Sequence, residues 1–241
     1  MYLLHLLSSI IGLAVGSFLN VVLYRSKKKI SIITPRSFCP KCKYSIPFYR
    51  NIPLVSFFLQ KGKCNNCSKK IPYIYPIIEF CVGLVFLISA LFLDTIEHVF
   101  FIWMFSNLMI IIIIDQRQMI IPITPIFLMI ISIIIYHVIY LDNLFFTLSG
   151  ALIGTGYLSF SLIITWIIYK KQTLGFGDLQ LIAVLGAWVG PFQIIWVIIL
   201  SSIIALISIG ITSYKKGIYI NKPIPFAPFL SISAIIIYLI N

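Results

Sequence analysis

Apolar residues run through this chain in long blocks, and the polar residues gather in the gaps between them. The blocks are Tyr2 to Tyr24, Tyr73 to Leu93, Glu97 to Ile114, Ile120 to Leu141, Leu144 to Tyr169, a short Asp178 to Gly190, Phe192 to Ser213, and Pro223 to Ile240. About 20 helical residues cross the hydrocarbon core of a bilayer. The pattern therefore predicts about eight transmembrane helices in an all-α polytopic membrane protein. Isoleucine-rich blocks are ambiguous by propensity, but their length and unbroken apolarity exclude the alternation of a membrane barrel. The first block is too long for a signal-peptide core, and lysines follow it rather than precede it. It reads as a retained helix.

Composition agrees with this reading. Of 241 residues, 61% are hydrophobic and 10% charged, with a mean hydropathy of +1.08. Soluble domains average about 45–50% and about 25%. No room remains for a separate soluble enzyme domain. The expected organisation is a first transmembrane helix over residues 1–24, a small zinc-ribbon-like cytoplasmic domain over 25–72, and a seven-helix membrane core over 73–241.

The net charge of +12 would suit a nucleic-acid binder, but its distribution points elsewhere. Residues 25–72 carry 12 of the 18 Lys and Arg. The other six are Arg117, Lys170, Lys171, Lys215, Lys216 and Lys222, in loops after the third, fifth and seventh helices. An eight-helix count puts all 18 on one side and Asp94, Glu97 and Asp142 on the other. By the positive-inside rule the basic side is cytoplasmic and the N-terminus outside. Basic loops beside anionic lipids account for the charge, and no nucleic-acid partner is expected.

The polar segment contains Cys39-Pro-Lys-Cys42 and Cys64-Asn-Asn-Cys67, separated by 21 residues. Each C-x2-C puts two thiolates on one tight turn, as tetrahedral zinc requires. A disulfide framework or a redox pair is the alternative, weakened by the reducing cytoplasm. A 48-residue segment with few aliphatics could hardly fold without such a staple. The fifth cysteine, Cys81, is expected to pack within the second helix.

Ionisable residues within or at the edge of a bilayer are costly and functional by default, and only Glu79, Asp115 and Asp178 qualify. Asp115 ends the third helix after five isoleucines; Asp178 follows Gly175-Phe-Gly177 and opens the sixth. The topology puts both at the cytoplasmic face. Two carboxyls sharing a proton suit aspartyl proteolysis, one activating water and the other protonating the carbonyl oxygen. The glycines let a peptide backbone approach closely. Helix capping by Asp178 and pairing of Asp115 with Arg117 are the competing structural roles. Helix polarity assigns the charge to Asp178, at a helix start, and the proton to Asp115, at a helix end. The three histidines form no H-E-x-x-H, and no G-x-S-x-G occurs, which argues against metalloprotease and serine mechanisms. Gly12 and Gly16, Gly150 and Gly154, and Gly186 and Gly190 are expected to bring helices close.

These residues resemble the type IV prepilin peptidases. Gly16-Ser-Phe-Leu-Asn-Val-Val-Leu-Tyr-Arg25, Arg36-Ser-x-Cys39-Pro-x-Cys42, Asn51-Ile-Pro53, Gly62-x-Cys64-x-x-Cys67 and Tyr75-Pro-x-x-Glu79 match the family's amino-terminal half in order and spacing. Asp115, Gly175-x-Gly-Asp178 and Pro225-Phe-Ala-Pro-Phe-Leu230 extend the match almost to the end. The chain departs from the family's usual residues at Gln180, Ile123 and Ala227. The resemblance implies a bacterial inner-membrane enzyme that cleaves the basic leader of prepilins or pseudopilins at the cytoplasmic face. Many members then methylate the new terminal amine with S-adenosylmethionine. It also implies that Asp115 and Asp178 are catalytic and that the four cysteines mark the cytoplasmic domain of bifunctional members. Methyl transfer rests on the resemblance alone, since no Rossmann G-x-G-x-x-G is present. Glu79 is its candidate residue, as a proton acceptor or as a partner for the cationic cofactor. A non-catalytic zinc-ribbon scaffold and a thiol redox carrier are the readings from other classes.

Overall fold

The computed structural model describes residues 2–28, 30–34, 36–140, 144–170, 175–216 and 224–240. Asp142, Lys171, Lys222 and Pro223, on which parts of the charge ladder and of the last helix rest, lie outside them. The described chain is helical: α1 (Tyr2–Lys28), α2 (Val55–Leu59), α3 (Ile74–Phe92), α4 (Thr95–Gln118), α5 (Ile123–Tyr140), α6 (Leu144–Tyr169), α7 (Phe176–Val189), α8 (Gln193–Lys216) and α9 (Ala227–Ile240), with a 3-10 turn at Phe48–Arg50. Among the described residues there is no strand, only the isolated bridges Phe38–Ser45 and Lys63–Lys70.

Five helices are long and apolar enough to cross a membrane: Leu3–Ser26, Ile74–Phe92, Thr95–Gln118, Leu144–Ile168 and Gln193–Tyr214. Ile123–Ile139, Phe176–Val189 and Ala227–Ile240 are apolar but shorter. The 14 residues of α7 and of α9 reach about 21 Å at 1.5 Å each, short of a hydrocarbon core of about 30 Å.

Three expected boundaries move. α1 continues to Lys28 rather than stopping at Tyr24. Arg25 is buried there, donating from Nη1 to the carbonyls of Ser31 (2.8 Å) and Ile32 (2.9 Å). Its guanidinium thus anchors the start of the polar segment from inside the helix. α4 runs three residues past Asp115 and stops at Met119, whose φ is +55°. α9 starts at Ala227 rather than at Pro223, because Pro225 holds the residue before it extended.

The chain divides into two compact units, Met1–Ser106 and Asn107–Asn241. In the first, α1 packs along α3. A Cβ on Gly12 would stand 2.7 Å from Phe86 Cβ, and one on Gly16 would stand 2.7 Å from the Glu79 Cα. The small residues therefore allow backbone-level contact, as their spacing suggests. The face that α3 buries runs through Pro76, Glu79, Val82, Gly83, Phe86, Ser89 and Ala90, a helical stripe of three- and four-residue steps. Cys81 falls off that stripe and is exposed, correcting the expectation that it packs inside. His98 is buried between Ser8 Oγ (2.9 Å from Nε2) and Ser89 Oγ (3.0 Å from Nδ1).

In the second unit α7 packs against α5, α6, α8 and α9, and Leu181, Ile182 and Leu185 are fully buried. Gly150 of α6 and Gly186 of α7 cross backbone to backbone. A Cβ on either would collide with the carbonyl oxygen of the other. Because neither neighbour is a flexible side chain, Gly150→Ala or Gly186→Ala is expected to cost about 1–3 kcal/mol or more. Thermal unfolding of the purified variants in detergent would check this; an unchanged midpoint for both would contradict the close crossing.

Candidate active site

Asp115 lies in the last turn of α4, its carbonyl accepting the Met119 N–H at 2.9 Å. The side chain is buried, and its Oδ2 has no hydrogen-bond partner among the described residues. An unpaired buried acceptor costs about 1–3 kcal/mol, more if charged, so this oxygen is poised for a proton, a water or a substrate group. Asp178 is the third residue of α7, and its Oδ2 accepts the N–H of Gly175 at 3.2 Å. It is half-buried. The charge of Asp178 acts on Asp115, and the backbone amide of Ala227, first residue of α9, faces the Asp115 carboxyl. Arg117 is exposed, and no ion pair joins it to Asp115 among the described residues.

The glycines have distinct roles. A Cβ on Gly177 would come within 3.0 Å of Ile121 Cβ, so this glycine lets the segment after Asp115 close against the segment before Asp178. Gly175 has ordinary extended angles (φ −78°, ψ 151°) and open space except for Asp178 itself. Its contribution is the N–H that holds the carboxylate.

In the first unit the four cysteines form two knuckles of one design. Cys39 N–H donates to Tyr44 O (2.9 Å) and Lys43 N–H to Cys39 O (3.0 Å); Cys64 N–H donates to Lys69 O (2.9 Å) and Ser68 N–H to Cys64 O (2.9 Å). Lys43 (φ +61°) and Ser68 (φ +54°) occupy the same left-handed position in each turn. The sulfurs of Cys39 and Cys67 are 3.9 Å apart, those of Cys42 and Cys64 4.0 Å, and all four lie within 4.8 Å of one another. All are free thiols. A tetrahedron of sulfurs about 2.3 Å from zinc has edges of about 3.8 Å, so the group can hold one metal ion. Backbone and side-chain donors already favour thiolates. Contacts with the Tyr44 backbone and with the Asn66 side chain lower Cys42 to about 6. The backbone amides of Cys67 and Asn66 lower Cys64. At Cys67 the Lys69 backbone favours the thiolate, yet burial and the other sulfurs outweigh it and the thiol rises to about 11. A cation would relieve that opposition.

Two family models cover most of the chain: the bacterial peptidase A24 N-terminal domain over residues 10–93, and the type IV leader peptidase family over residues 99–210. A type 4 prepilin-like proteins leader peptide-processing enzyme of Escherichia coli is 32% identical, the match covering 95% of this chain and 91% of the relative. The chain belongs to the type IV leader peptidase family. Prepilin leader peptidase/N-methyltransferases of Neisseria gonorrhoeae (31% identical, 98% of this chain and 90% of the relative) and Vibrio cholerae (32%, 98% and 97%) are similar to it. No solved structure matches it.

Within this leader peptidase the two aspartates fall in one unit and Glu79 in the other. Glu79 is buried on α3 and its Oε2 accepts the Leu54 N–H at 2.8 Å, holding Leu54 at φ +57°. It thereby ties the Asn51-Ile-Pro53 turn to the helix. Sequence reasoning missed two contributors at the aspartates, Ile121 and the Ala227 amide. Pro225 and Pro228 bracket Ala227 and were the available signal, since prolines leave few amide donors at a helix start. Gly177→Ala is expected to lower the cleavage rate about tenfold by pushing Ile121 and α7 apart, while Gly175→Ala is expected to change it less. Initial rates on a prepilin peptide would rank the two; the reverse order would contradict the packing role of Gly177.

Proposed function

We propose that this membrane enzyme removes the basic leader of type IV prepilins or pseudopilins by a two-aspartate mechanism and then methylates the new N-terminus. The observation that carries the first half is the buried, unpartnered oxygen of Asp115 in the field of Asp178. In the proposed step one carboxylate takes a proton from water as the water attacks the scissile carbonyl. The other, protonated, donates to the carbonyl oxygen, and the proton exchange reverses as the amine leaves. The assignment by helix polarity, with the charge on Asp178 and the proton on Asp115, belongs to this proposal. Asp178 opens α7 and its Oδ2 accepts the Gly175 N–H at 3.2 Å, whereas Asp115 stands in the last turn of α4, so the two meet opposite ends of their own helices. The pair shares one proton, which resides on Asp115 in the resting state, and a pH-rate profile reports only the macroscopic values of the dyad.

Eight membrane passes, with the basic segments and both aspartates on the cytoplasmic side of the bacterial inner membrane, belong to the same proposal. So do the domain limits of 1–24, 25–72 and 73–241. The segregation of basic residues supports them. Cys39, Cys42, Cys64 and Cys67 would hold a zinc ion as a structural staple for the polar segment. For the second half, a bound S-adenosylmethionine supplies an electrophilic methyl group; the names of the similar bacterial enzymes support this activity. The test is co-expression with candidate prepilins, followed by mass measurement of the mature N-terminus. Loss of the leader with one added methyl group is expected. An unprocessed prepilin would overturn the proposal, and a cleaved but unmethylated one would overturn its second half.

A further inference from the structure

α2 carries two large apolar side chains that the fold leaves bare. Phe57 turns inward, where a Cβ on Gly62 would stand 3.1 Å from its ring, while Phe58 and Leu59 beside it are 71% and 78% exposed. Gln60 Nε2 donates to Arg50 O at 3.2 Å and joins the end of α2 to the 3-10 turn, where Phe48 is 88% exposed. The ring of Phe57 meets those of Phe58 and Tyr73, each at 5.8 Å between centroids. Tyr73 and Ile74 are themselves exposed, and from them the bare face of α3 continues through Ile77 and Phe80. One apolar surface therefore runs from a helix of membrane-spanning length onto the polar segment.

The height of α2 follows from a hydrogen bond. α3 has 19 residues and spans about 28 Å at 1.5 Å each, no more than the hydrocarbon core of about 30 Å, so its first turn lies at the edge of that core. Glu79 is the sixth residue of α3, and its side chain leans toward the helix start. There its Oε2 takes the N–H of Leu54, the residue before α2. α2 thus begins level with the first turns of α3, where headgroups meet acyl chains. Charge agrees with that level: residues 25–72 include 12 Lys and Arg and no Asp or Glu, and the exposed Lys61 and Lys63 follow α2 directly.

We propose that α2 is an interfacial anchor: Phe58 and Leu59 insert into the leaflet beside α3, and the lysines that follow bind anionic lipid headgroups. The proposal rests on the reading of α1 and α3 as membrane spans. Interfacial anchors combine apolar area with basic charge. Five residues are too few for a free peptide, but a span tethers this segment at each end, so its effective concentration at the surface is high and a weak contact suffices. A basic prepilin leader is repelled by the same charge, which favours lipid over the substrate as the occupant. The cysteine segment is then held along the leaflet instead of hanging free in the cytoplasm.

Photo-crosslinking reads the occupant directly. The zinc-loaded, full-length protein is placed in vesicles of phosphatidylcholine with a quarter phosphatidylglycerol, carrying p-benzoylphenylalanine in place of Phe58 or, as the control for the span, of Phe80. Mass measurement is expected to find lipid adducts at both positions. Lipid at Phe80 with none at Phe58 overturns the inference, as does a Phe58 adduct to a second copy of the chain or to an added prepilin in place of lipid. No lipid at either position overturns the span as well. Tryptic cleavage after Lys61 then measures how often α2 leaves the surface. Phe58→Ser combined with Leu59→Ser is expected to speed it at least about tenfold, because two large apolar side chains leave the leaflet. Vesicles without phosphatidylglycerol are expected to speed it at least about fivefold, the weight of one basic side chain near an anionic surface. Zinc content is the folding control. A rate that ignores either change overturns the inference.

Discussion

Replacing Asp115 or Asp178 with asparagine is expected to lower prepilin cleavage by about 10²–10⁴-fold, with each single change as damaging as the two together. The reason is that a dyad works as a unit: asparagine at either position can neither take a proton from water nor return one to the leaving amine. Neither carboxyl is expected to be needed for folding. Asp115 Oδ2 has no partner to lose, and Asp178 Oδ2 accepts one N–H that an asparagine oxygen can also accept. Membrane insertion and thermal stability should therefore be retained. A pre-cleaved substrate should still be methylated by both variants, since methyl transfer to an amine requires neither carboxyl. Mass measurement of the substrate N-terminus reads both activities in one sample. Appreciable cleavage by either variant would rule out the shared-proton mechanism.

The second large effect concerns the cysteines. Purified protein is expected to carry about one zinc per chain, and Cys39→Ser or Cys64→Ser to lose most of it. A four-thiolate site contributes about 10–16 kcal/mol of apparent binding free energy in zinc-finger peptides at neutral pH, and that energy is folding energy. The polar segment has little else. Among its described elements are a three-residue turn, the five-residue α2 and two isolated bridges, and neither short helix has a buried residue. Loss of the metal should make residues between Arg36 and Pro72 open to proteolysis. It should also disturb the cleft of about 190 Å³ between α1, α3 and this segment, because Cys39 and Cys64 line it. Zinc quantification with limited proteolysis checks this outcome. A metal-free protein that resists proteolysis as well as the zinc-loaded one would show that the cysteines staple nothing.

Much of this was legible in the order of residues because the responsible forces are local. Long apolar blocks place the helices, since a helix satisfies its own backbone hydrogen bonds wherever it lies in a bilayer. The two knuckles follow from C-x2-C, because a turn that presents both sulfurs is closed by hydrogen bonds within six residues. Asp115 and Asp178 stand out because a carboxylate at the edge of an apolar block is costly to keep. Glycine spacing announced close helix contacts, and Gly12, Gly16, Gly150 and Gly186 make them.

What the sequence could not determine depends on how one helix is rotated and set against another. A turn of α3 puts Cys81 outside and Glu79 inside, where a single backbone N–H from Leu54 meets it. The start of α9 comes close to Asp115 from more than 100 positions away, a proximity that no pattern around either residue announces. Asn20 and Tyr24 look like ordinary members of a membrane helix until the cysteine segment and α3 close over them and leave their polar atoms without partners. Periodicity marks which stripe of a helix is buried, but the identity of the facing group is a property of the packed structure alone, because hydrogen bonds and fields act over a few ångströms of space and not along the chain.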